Sequence, residues 1–78
     1  MDIAKIEWID SCHFSGWRQE HEYQDTQISR CVSVGFLIRK TKTEIVFAQS
    51  YSDTGNYAEI TAIPIQAIKK ITILERRK

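Results

Sequence analysis

Four side chains that bind metals or act as nucleophiles lie in the first part of the chain: Cys12, His13, His21 and Cys31. A zinc site draws its ligands in pairs set two to four residues apart, so that both members can turn toward one ion. Cys12 and His13 are adjacent, a spacing that does not suit such a pair. Two thiols that pack as small apolar groups, and two surface histidines, are the simpler expectation. A Cys–His nucleophile also needs an orienting third group and donors for an oxyanion, and no recognisable set accompanies these residues. Glu20, Glu22 and Asp25 fall in the same polar stretch, where nothing apolar would tune a carboxylate for acid–base work. The sequence therefore predicts a protein that is not an enzyme and uses neither metal nor cofactor.

Binding chemistry is better represented. Residues 1–39 carry 4 basic and 6 acidic side chains, net −2, whereas residues 40–78 carry 7 basic and 4 acidic, net +3. The surplus gathers at Lys40 and Lys42, at Lys69 and Lys70, and in Arg76-Arg77-Lys78. Tyr51 and Tyr57 flank the turn Asp53-Thr54-Gly55-Asn56 and are suited to stacking on a nucleotide ring. Trp17 and Arg18, within a long polar connection, complete the candidate ligand-binding set of Lys40, Lys42, Tyr51, Tyr57, Trp17 and Arg18. Each has a plainer alternative. Lysines keep sheet edges soluble, paired tyrosines pack across a hairpin end, and a tryptophan in a connection can cover the mouth of a barrel.

The elements that must carry these residues are strands. The chain has 12 Ile and 2 Leu, and Ile, Val and Thr together make 21 of its 78 residues. Branching at Cβ stiffens χ1 and favours pleated sheet over helix. Residues 3–10 alternate, with Ala4, Ile6 and Trp8 on one face and Lys5 and Glu7 on the other. Residues 11–27 read as a surface connection, with one helical turn near 17–23. Residues 28–40 form the clearest strand, Val32, Val34, Phe36 and Ile38 alternating with Cys31, Ser33, Gly35, Leu37 and Arg39. Gly35, near its middle, permits a sharp bend or the close approach of another backbone. Thr41-Lys42-Thr43 is a hairpin connection and residues 44–51 the return strand. A fourth strand runs from Tyr57 to Ile63 and ends at Pro64, which opens a short 3₁₀ turn. Residues 69–74 form the fifth strand. Trp8 and Phe47 fall on the faces assigned to the core. The expectation is mainly β, a five-stranded antiparallel small barrel of the Sm-like or SH3-like kind, forming a single domain over residues 1–78.

Three segments carry a resemblance: Cys31 to Leu37, Ile45 to Ser50, and Ile63 to Ile71. With Glu7-Trp8-Ile9-Asp10-Ser11 and Gly16-Trp17, they make the chain similar to a family of small uncharacterised phage-encoded proteins. That resemblance implies a phage accessory protein but no particular chemistry. At the level of fold, a second strand with a central glycine resembles Sm-like proteins, which form rings and often bind RNA. The Asp-x-apolar-x-Asn pattern and the Arg-Gly step with which Sm proteins hold uridine have no counterpart here.

Size and charge restrict the remaining classes. A net charge of +1 argues against coating DNA or an anionic membrane. The absence of a long apolar run or a leader-like start leads to the expectation of a cytoplasmic protein, in a phage setting that of the host cell. So short a chain encloses a small core and gains from a neighbour, which predicts a homo-oligomer, ring or dimer. The function expected is a non-catalytic phage accessory protein that self-assembles and binds a small anionic partner. A nucleotide immune signal, sequestered as by an anti-defence sponge, and a short RNA both fit that description. The alternative is a protein-interaction barrel that blocks or adapts a host protein without a nucleotide ligand.

Overall fold

The computed structural model describes residues 1–11, 17, 19 and 27–77. The described chain forms one five-stranded antiparallel sheet in the order β4-β3-β2-β1-β5. Its strands are β1 (Ile3–Asp10), β2 (Ser29–Lys40), β3 (Glu44–Tyr51), β4 (Tyr57–Pro64) and β5 (Ile68–Glu75). A 3₁₀ turn, Ile65–Ala67, joins β4 to β5 and begins directly after Pro64, whose φ of −59° suits that entry. The antiparallel β-rich expectation and the turn before the last strand are both present. The ladder does not close, because β4 and β5 are its two edges. The helical turn expected near residues 17–23 lies outside the described residues, apart from Trp17 and Gln19.

The register fixes which side chains face the core. Ala4 and Ile6 are wholly buried, and residues directly opposite in an antiparallel pair share a face. Their β2 partners are Gly35 and Ser33, and Cys31 lies opposite Trp8. The inward face of this half of β2 is therefore small or polar. Its apolar row turns outward, leaving Val32 63% and Val34 51% exposed. On β5, Ile71 and Ile73 lie opposite Ile6 and Ala4 and join the inward set. Ile6, Ile45, Phe47 and Ile63 form the buried cluster, with Trp8, Leu37, Ile65, Ala67, Ile68 and Ile71 packed around it.

Gly35 marks a bend. β2 pairs with β1 from Ser29 to Phe36, but with β3 only from Phe36 to Lys40. One strand thus serves two neighbours along successive halves. The β3 backbone comes so close at Gly35 that a Cβ there would stand 2.6 Å from the Ala48 carbonyl oxygen. The 3₁₀ turn is tied to the β2–β3 connection, the Ile65 amide donating to the Thr43 carbonyl at 2.9 Å. The chain ends are strapped together through Asp2, which accepts from the Arg77 amide at 3.3 Å and pairs with Arg76 at 3.5 Å.

Candidate functional site

Lys40 ends β2, and Lys42 sits in the connection that follows. That turn is built by Thr41, whose hydroxyl accepts from the amides of Thr43 at 3.2 Å and Glu44 at 3.1 Å. A Thr side chain satisfying backbone donors two and three residues on holds a tight connection without glycine. Lys42 and Thr43 then line a hollow of about 250 Å³ with Pro64, Ile65 and Gln66 of the adjoining 3₁₀ turn. Arg39, next to Lys40, is paired with Glu44 at 3.3 Å. Among the described residues no ion pair engages Lys40, Lys42, Lys69 or Lys70.

The tyrosines lie at the opposite end of β3. Tyr51 and Tyr57 are directly opposite across β3 and β4, with ring centroids 5.4 Å apart. Phe36 extends the group, its ring 6.2 Å from that of Tyr51, and the Arg77 guanidinium lies 6.0 Å from the Phe36 centroid. This is cross-strand aromatic packing at a hairpin end, with both tyrosines still partly open to solvent. Seven residue steps separate Glu44 from Tyr51, about 23 Å at the usual rise per residue. Within one chain, the basic turn and the tyrosine pair therefore do not share a pocket.

Trp17 is fully exposed. Arg18 lies outside the described residues, as do Cys12, His13 and His21. Cys31 forms no disulfide and is partly buried, its Sγ 3.9 Å from the Ser29 carbonyl oxygen. No cluster of potential metal ligands occurs among the described residues. None of their helices is long and apolar enough to cross a membrane.

One cleft involves none of the candidate residues. It occupies about 410 Å³ where β2 and β3 part, and its walls include Trp8, Ser33, Phe47, Gln49, Glu59 and Thr61. The Trp8 indole N–H donates to Ser33 Oγ at 3.0 Å, which fixes both side chains at the inner end. Phe47 is buried, whereas Gln49, Glu59 and Thr61 are exposed at the rim. Glu59 has φ +56°, the left-handed region that side chains other than glycine enter at a cost of roughly 1–2 kcal/mol. The ladder registers this locally: Ala48 pairs with Ile60 and Ser50 with Ala58, but Gln49 and Glu59 between them do not pair. A signal for the cleft exists in the sequence. Gln49 is a polar residue in the same alternating row as Phe47, whereas Ser33 joins the core face only through its pairing with Ile6. Comparison with known protein families, curated proteins and solved structures finds no match to this chain.

Proposed function

We propose that the protein is a non-catalytic, self-assembling binding module, a phage accessory protein whose copies join through sheet edges and present a repeated basic rim to a small anion. The observation that carries this reading is the opposition of the two edge strands, β4 and β5, each paired on one side only among the described residues. β4 bears one charged residue, Glu59, while β5 bears Lys69 and Lys70 near its start and Glu75 at its end, a net positive strand. Both strands are 8 residues long, so neither edge outruns the other. Pairing β4 of one copy with β5 of the next sets a net acidic strand against a net basic one, whereas β4 with β4 or β5 with β5 sets strands of like net charge against each other. Such head-to-tail contacts generate a ring if the rotation closes. In this reading the curled sheet works as a small barrel of the Sm-like or SH3-like kind, bridged from β4 to β5 by the 3₁₀ turn.

Every copy in such an assembly contributes one Lys40/Lys42 turn and its adjoining hollow, so a nearly neutral chain gathers positive potential by repetition. The shared ligand chemistry is phosphate, carried by a nucleotide signal or by a short RNA. The phage resemblance supports a role as an anti-defence sponge in the host cytoplasm, where a stoichiometric binder needs no turnover.

Light scattering over a wide concentration range, together with calorimetric titration of a cyclic dinucleotide and of a hexauridylate, tests the proposal. An oligomer that binds one of the two with micromolar or better affinity, and loses that binding in Lys42→Glu, is expected. A monomer at every concentration removes the assembly, and no heat from either probe removes the anion.

A further inference from the structure

We infer that the fork between β2 and β3 accepts an extended peptide as an added strand, with a basic side chain of that peptide set against Glu59. From Ser29 to Gly35, β2 is paired with β1 alone among the described residues, and from Ser50 to Tyr51, β3 is paired with β4 alone. Alternate residues of a strand direct their N–H and C=O groups to alternate sides, so half of this stretch of β2 offers donors and acceptors to the fork. An extended backbone is the ligand whose own groups match that row.

The walls say what the peptide carries. The cleft is a trough with a buried Phe47 floor and an exposed rim, a shape that suits a chain crossing it rather than an enclosed small molecule. Among the described residues, Glu59 is the one ionisable group lining it. A lysine entering there lays its methylene stem over Phe47 and Trp8 and brings its ammonium to the carboxylate. Side chains alternate along a strand, so the neighbours of that lysine point the other way, beside the exposed Val32 and Val34. The expected partner is a segment alternating basic and apolar residues. The backbone of Glu59 supports a binding role independently, since left-handed conformations at residues other than glycine gather where ligands are held.

The probe is a blocked hexapeptide alternating valine and lysine, titrated into the isotope-labelled protein and followed by amide and indole resonances. Shifts at the Trp8 indole N–H, Ser33 and Gln49 are expected, and a peptide N-methylated at alternate residues should produce none. Glu59→Gln should weaken the lysine peptide by about threefold to fivefold, and an alternating valine–glutamate peptide should bind more weakly by at least as much. Equal binding of the N-methylated peptide overturns strand addition, and indifference to both charge changes overturns the role of Glu59. Shifts at these residues that appear on concentrating the protein alone mean that a second copy fills the fork, which also overturns the proposal.

Discussion

Gly35 and Ala48 approach so closely that the β2 bend has no room for a side chain. A Cβ on Gly35 would lie 2.6 Å from the Ala48 carbonyl oxygen and 2.8 Å from Phe47 Cδ2. The first neighbour is backbone held in the β3–β4 ladder, so it cannot rotate away as a side chain does. Gly35→Ala is expected to destabilise the fold by about 1–3 kcal/mol, the range for overpacking a tight site. Urea denaturation measures it. A midpoint equal to that of the parent protein would show that the bend gives at little cost.

Trp8 and Ser33 form the second such relationship, an indole N–H donating at 3.0 Å to a hydroxyl in a partly buried position. Ser33→Ala leaves that donor short of its acceptor and removes little volume, so a loss of about 1 kcal/mol is expected. Ser33→Thr keeps the oxygen and should restore most of it. Hydrogen exchange at the Trp8 indole separates the two variants, being faster in alanine and close to the parent rate in threonine.

Strand positions were the most legible feature of the sequence, because alternation and turn residues act locally. Ala4, Ile6 and Trp8 line the face that their spacing indicates, and Pro64 ends β4 where its missing donor dictates. The orientation of β2 was not legible in the same way. Val32 and Val34 look like a core row, yet the pairing of Ile6 with Ser33 turns them outward, and register is a property of two strands rather than one. Residue type alone groups Lys40 and Lys42 with Tyr51 and Tyr57, which the length of β3 holds apart. It does not single out Gln49 and Glu59, because the distortion that exposes them arises only when β3 and β4 pair.

Glu59 itself offers a test of backbone strain. Glycine inside a strand normally costs roughly 0.5–1 kcal/mol, but at φ +56° it also relieves the strain of roughly 1–2 kcal/mol. Glu59→Gly is therefore expected to match the parent protein or to exceed its stability by about 1 kcal/mol. Thr61→Gly, two residues along the same exposed strand, should show the full cost of about 1 kcal/mol. Thermal unfolding of the pair gives the comparison. Equal losses in both would mean that Glu59 is not strained in solution.

The proposed edge assembly makes a prediction that distinguishes head-to-tail pairing from symmetric pairing. Ile60 on β4 and Leu74 on β5 are both exposed, at 57% and 53%. A lysine at either place sets a charge on an edge strand, the device by which natural sheets block edge pairing. If β4 of one copy pairs with β5 of another, Ile60→Lys alone and Leu74→Lys alone should each be monomeric. Each variant nevertheless keeps one competent edge, β5 in the first and β4 in the second. Mixed in equal amounts, they should form a one-to-one dimer that grows no further, because the outer edges of that dimer are the blocked ones. Symmetric pairing gives a different pattern: a β4–β4 contact leaves Leu74→Lys dimeric on its own, and a β5–β5 contact leaves Ile60→Lys dimeric. Sedimentation of the two variants apart and together discriminates these cases, and larger assemblies in the mixture would show that the contact does not run through these edges.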